Sequence, residues 1–173
     1  MRRALSVAIL ALAALSAPAT AVSELAPPAR YALQPVGQGT LTWLGLHIYD
    51  AALWAPDGEV DVSKSFALVV RYARALEGAS IAERSIEEIA RLGAGSASQR
   101  AAWRHGLHTL FPNVEPGDEV AAVHRPGRGA RFYLNGRLLG EIAEPAFSRA
   151  FFSIWLDPRT RLPELRAALL GSR

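Results

Sequence analysis

The segment Trp43-Leu44-Gly45-Leu46-His47-Ile48-Tyr49-Asp50-Ala51-Ala52-Leu53-Trp54 sets the tightest limit on how this chain can fold. Its side chains alternate in the strand sense, with His47, Tyr49, Ala51 and Leu53 on one face and Ile48, Asp50, Ala52 and Trp54 on the other. Large residues on both faces predict a strand covered on part of each side. Gly45 interrupts the bulky run and predicts a bulge or a close backbone approach. His47 and Tyr49 are expected to present two polar heads on one surface. The stretch reads as the wall of a pocket.

The N-terminus reads as an export signal. Arg2 and Arg3 precede an apolar run from Ala4 to Leu15, and Ala19-Thr20-Ala21 supplies small residues for cleavage. Residues 1–21 are therefore expected to be a signal peptide cleaved near Ala21, and 22–173 one domain in the periplasm or outside the cell. The apolar run is short for a bilayer span, and the rest of the chain is expected to hold no transmembrane segment. With 19 Lys and Arg against 16 Asp and Glu the chain carries +3, and loss of Arg2 and Arg3 would leave +1. That balance argues against a nucleic-acid partner. The absence of cysteine excludes disulfides, thiolate metal sites and thiol nucleophiles.

The order of elements gives the fold class. Paired prolines within Val22–Arg30 forbid helix there and predict a frayed or extended arm. A short strand over Tyr31–Val36 would turn at Gly37-Gln38-Gly39 into the organising strand, which Ala55-Pro56-Asp57-Gly58 would close. Phe66–Arg74 reads as a further strand with Arg71 and Tyr72 on opposite faces. Ser80 and Glu83 form a capping-box pattern before a helix over Ile81–Leu92, and Ser96 or Ser98 would cap a second with the stripe Trp103, Leu107, Leu110 and Phe111. Pro126-Gly127-Arg128-Gly129 and Asn135-Gly136 predict two hairpins. Pro145 would open a helix burying Phe147, Ala150, Phe151, Ile154 and Trp155, and a last helix is expected over Thr160–Leu170. Strands, two helices, a meander and two helices predict an α+β fold on an antiparallel sheet.

Few residues point to catalysis. His47, His105, His108 and His124 are scattered, and the His105/His108 pair has no third ligand nearby in sequence, so no metal and no cofactor are expected. No Gly-x-Ser-x-Gly elbow and no Ser-x-x-Lys motif occurs. Ile81, Arg84, Ser85 and Glu88 share one helix face. Arg84 and Glu88 could form a surface ion pair, or the face could cover a pocket and offer Arg84 to an anion.

Together these motifs resemble the chalcone isomerase-like proteins, in particular a secreted bacterial branch. The likeness rests on Gly45–Trp54 (Gly-x-x-Ile-Tyr-Asp-Ala-x-Leu-Trp), Ser85–Gly93, Phe111–Asp118, Pro126–Gly136 and Phe151–Thr160. It implies an open-faced β-sandwich, a large curved antiparallel sheet under a layer of helices with a ligand cleft between. The isomerase pattern would place Ile81 where the enzymes carry Tyr, Arg84 for Lys, Glu88 for Asn and Tyr49 for the strand Thr, with no arginine near Gly37–Thr40. Ile81 can neither position a phenoxide nor stabilise an enolate, and arginine is not equivalent to lysine. Fatty-acid-binding relatives hold the carboxylate with a Tyr at the Tyr49 position and an Arg, a role that Arg84 or Arg71 could fill here. The resemblance thus implies a non-catalytic site for a small hydrophobic anion such as a fatty acid, with Tyr49, Arg84, Glu88, Ile81, Trp43 and Trp54 around it. An isomerase or intramolecular lyase, or an envelope interaction protein whose cleft is filled core, are the alternatives.

Overall fold

A computed structural model describes residues 27–171 of the 173. The expected signal peptide, 1–21, lies outside the described residues. A helical turn, α1 (Pro27–Arg30), leads into β1 (Gln34–Trp43) and β2 (Leu46–Ala55), then a 3-10 turn at Pro56–Gly58 and β3 (Phe66–Tyr72). Helices α2 (Gly78–Arg91) and α3 (Ala97–Leu110) follow, then β4 (Glu119–Arg125), β5 (Gly129–Leu134) and β6 (Arg137–Ile142), and finally α4 (Pro145–Leu156) and α5 (Pro163–Leu169). The six strands form one sheet in chain order, antiparallel throughout. The α+β expectation holds.

Helices α2 to α5 cover one face. Strand residues Leu53, Leu68, Val70 and Phe132 meet Ile86, Ile89, Trp103, Leu107 and Phe147 in the main core. All six phenylalanines join there in one connected set, from Phe66 through Phe152, Phe151, Phe111 and Phe132 to Phe147. Most of these rings meet edge to face, worth about 0.5–1.5 kcal/mol per pair beyond burial. The other face carries a smaller cluster of Leu33, Ala67, Ala121, Val123 and Tyr133, with Tyr31, Trp54 and Val69 against it. One face is thus thickly covered and the other thinly, the open-faced sandwich that the motifs imply.

Four local expectations change. Paired prolines do not forbid α1: they sit where helical N–H groups lack partners anyway, and Pro28 accepts from Tyr31 and Leu33. The strand expected over Tyr31–Val36 does not turn at Gly37–Gly39. It runs straight on to Trp43, because the two glycines let α5 lie on the strand; a Cβ on Gly37 would come within 2.6 Å of the Leu169 carbonyl oxygen. The turn falls instead at Leu44-Gly45, with φ of +49° and +76°, so Gly45 serves a hairpin rather than a bulge. Helix α2 begins at Gly78, ahead of the Ser80 cap; its first N–H is met by the Asn113 side chain at 3.0 Å. The second helix starts as expected, with Ser96 and Gln99 forming a reciprocal capping box.

Candidate functional site

A hollow of about 510 Å³ opens between the inner face of β1–β4, helix α2, and the α4 end with the Thr160–Leu162 connection. Its floor is apolar, with Leu41, Leu68, Val70 and Ala122 from the sheet and Ile154 from α4. Phe111 and Phe151 line the hollow from the core side, with Tyr49, Tyr72 and Trp155 beside them.

Tyr49 is the best-defined polar group in the wall. The Trp155 indole N–H donates to its hydroxyl at 3.0 Å. Indole can only donate, so the Tyr49 oxygen accepts and its own O–H remains to donate to something else. Tyr72 stands beside it, edge to face at 6.1 Å. Burial pushes the Tyr49 phenol up to about 12, against the smaller opposing pull of the Trp155 hydrogen bond. Burial also raises Tyr72, with Tyr49 adding to the shift. Burial thus favours the neutral form of both rings.

Helix α2 brings Ile81, Arg84, Ser85 and Glu88 to the same hollow. Arg84 sits at the mouth with its side chain 76% exposed and donates to Glu87 at 3.2 Å, so the Arg84–Glu88 ion pair does not form. Glu88 takes two other arginines, Arg91 at 2.8 Å and Arg161 at 2.9 Å. Two of the nearby hydroxyls donate to backbone, Ser85 to the Ile81 carbonyl and Thr160 to that of Ile154.

Five of the six residues expected around a ligand, Trp43, Tyr49, Ile81, Arg84 and Glu88, therefore line one hollow. Trp54 does not. It lies on the far face of the sheet with the Ala67 and Val123 cluster, because its position in β2 has the opposite parity to Tyr49. Arg71 is also excluded, since it pairs in register with Asp50 on that outer face. His47 does not share a face with Tyr49. The register of β1 against β2 shifts between Leu41 and Thr42, opposite Ile48, and His47 bonds Asp50 at 3.0 Å. The Thr40 hydroxyl and His47 hold the Asp50 carboxyl below its usual range. Tyr72, Trp155 and Arg161 line the hollow without having been singled out for it; the parity of Tyr72 against Arg71 and the helical stripe holding Trp155 were the signals available.

No group of three or more His, Asp or Glu fit to hold a metal occurs among the described residues. His108 instead bonds Glu83 at 2.7 Å, beside Arg104. No described helix is long and apolar enough to cross a membrane.

Comparison with known proteins matches residues 26–171 to the chalcone isomerase-like family model. The chain belongs to the chalcone isomerase-like family. An uncharacterised protein of Haemophilus influenzae is 30% identical over 139 residues, covering 80% of this chain and 68% of the relative. Among solved structures, a fatty-acid binding protein of Arabidopsis thaliana superposes with a TM-score of 0.64 at 12% identity. That match covers 80% of this chain and 86% of the plant chain and shows a common fold.

Proposed function

We propose that this family member is a non-catalytic binder of a small hydrophobic anion, a fatty acid being the leading candidate, and that it works in the periplasm or outside the cell. The observation that carries the reading is the Tyr49 hydroxyl, fixed by Trp155 and still free to donate, in the wall of an apolar hollow of about 510 Å³. That volume falls in the range of small-molecule sites, roughly 300–1,000 Å³. A carboxylate would take the Tyr49 proton as a hydrogen bond while its chain lies along Leu41, Leu68 and Ile154. Arg84 and Arg161 at the mouth supply the positive field, and Arg91 with Arg161 neutralises Glu88 so that it does not repel an anion. The fatty acid that names the Arabidopsis neighbour suits the same chemistry. The N-terminal pattern of Arg2-Arg3, an apolar run and Ala19-Thr20-Ala21 supports export.

The groups at hand support the non-catalytic reading. An isomerase needs a base or an activated donor in reach of the reacting atoms. Burial favours the protonated form of both tyrosines, the Ser85 and Thr160 hydroxyls donate to helix carbonyls, Glu88 is held in ion pairs by Arg91 and Arg161, and Ile81 has no polar side-chain atom. Displacement of a fluorescent fatty acid, with mass spectrometry of lipid extracted from the purified protein, tests the proposal. Tyr49→Phe is expected to weaken binding roughly tenfold, as loss of a hydrogen bond to a charged group does. A protein that purifies empty and displaces no probe, or a Tyr49→Phe variant that binds as the parent does, rules the proposal out.

A further inference from the structure

Among the described residues, two two-residue hairpin turns have nearly the same φ angles. Asn135-Gly136 joins β5 to β6 with φ of +48° and +82°, and Leu44-Gly45 joins β1 to β2 with φ of +49° and +76°. Asn-Gly is what such a turn favours, since asparagine tolerates positive φ and its side chain bonds locally. Here Asn135 does so, accepting from the Glu119 N–H and donating to Asp118. A bulky apolar residue at positive φ is an outlier. Leu44 is also 85% exposed, so neither turn geometry nor core packing accounts for it.

Its neighbours continue the pattern. Trp43 is 65% exposed and Leu46 47% exposed, so three of the five exposed large apolar residues among those described sit on this one tip. Trp43 also lines the mouth of the hollow, where the exposed Arg84 and Arg161 stand. Each of these arginines makes one bond to a glutamate and keeps the rest of its five N–H donors. Tryptophan and leucine beside arginine match the boundary between acyl chains and anionic headgroups.

We propose that the β1–β2 tip is a lipid-docking wedge. Trp43, Leu44 and Leu46 enter the surface of a bilayer bearing anionic phospholipids, with the arginines of the mouth facing the headgroups. Docking would set the opening of the hollow against the membrane, so that an apolar guest passes between the two without crossing water. Docking itself does not require the hollow to bind; the passage of a guest rests on the proposed function.

The test uses the chain from Val22, which contains both cores and omits the apolar run Ala4–Leu15, a segment that would partition by itself. Flotation with phosphatidylglycerol–phosphatidylcholine vesicles is expected to carry the protein upward. Its tryptophan emission is expected to shift to the blue, with Trp43 the most exposed of the four tryptophans. Leu44→Asn should lower vesicle affinity roughly tenfold, the order of one leucine burial, while its thermal midpoint stays equal or rises. Leu46→Thr should weaken docking in the same way with the strand kept. Both variants should displace a fluorescent fatty acid in vesicle-free solution as the parent does, so loss of displacement alone would sink the hollow and leave the wedge. The wedge is overturned if the parent stays in the aqueous phase or if both variants float equally well. It is also overturned if the parent sediments as a dimer that Leu44→Asn makes monomeric, which would assign the tip to a second copy.

Discussion

At Tyr49 one oxygen has two partners in view, the Trp155 N–H that it accepts at 3.0 Å and whatever its own proton reaches in the hollow. Because burial moves its ionisation up to about 12, the folded chain holds that proton where an unfolded tyrosine, with a pKa near ~10, has lost it. The sign follows from linkage: the folded state binds more protons than the unfolded between those values, so stability is full below about pH 10 and falls as pH climbs toward 12. Native phenolate absorbance should therefore lag that of the denatured chain, and Tyr49→Phe should shrink the lag. An unchanged lag would mean that the ring is wetter than described. Glu88 shows the limit of reading at this scale. Helical spacing puts it correctly on the same face as Arg84 and Ile81, but spacing does not say which of several long cations a carboxylate takes. Arg161, 73 residues away, is one of the two it does take.

Among the elements, α2 depends on a glycine for position rather than for flexibility. A Cβ at Gly78 would run into the Phe111 carbonyl oxygen and come within 2.6 Å of that of Pro112. The Phe111–Val114 segment crosses the helix start there, Asn113 capping it and Val114 bridging to Leu76. Gly78→Ala is expected to destabilise the fold by about 1–3 kcal/mol, as overpacking does, and to tilt Ile81 and Arg84 relative to the sheet. Thermal denaturation with fatty-acid displacement would show it, and a variant as stable as the parent would contradict the contact. Which elements could be read from the chain follows from how local their causes are. The β5–β6 hairpin, the Ser96 cap and the stripe of α4 depend on residues within one turn of each other, and all are found. The β1–β2 hairpin was hidden because leucine is no turn former, and the strand through Gly37 because its reason lies in α5, over 120 residues away. The shift in register opposite Ile48 turned His47 to the other face. Trp54 needed no structure at all, since parity alone separates it from Tyr49.

At the scale of the molecule the hollow spans both halves of the sheet. Tyr49, Leu68, Val70 and Tyr72 come from β2 and β3, while Val120 and Ala122 come from β4. A guest that binds only the folded state adds stability by mass action, about 2.7 kcal/mol at a hundred times its dissociation constant. For a domain of this size that raises the melting midpoint by roughly 5–10 °C. Ile81→Trp, which narrows the hollow, is expected to melt like the parent in buffer and to show a smaller rise at the same fatty-acid concentration. A rise as large as the parent's would place the guest elsewhere. The same order of strands has another effect. β1–β3 and β4–β6 are each a run of neighbours, and only the β3–β4 pairing joins sheet segments separated by the whole α2–α3 excursion. Opened at the Gly93–Gly95 link, the chain would give two pieces with a complementary edge each, able to find one another again. An occupant lying across that join would act as a suture.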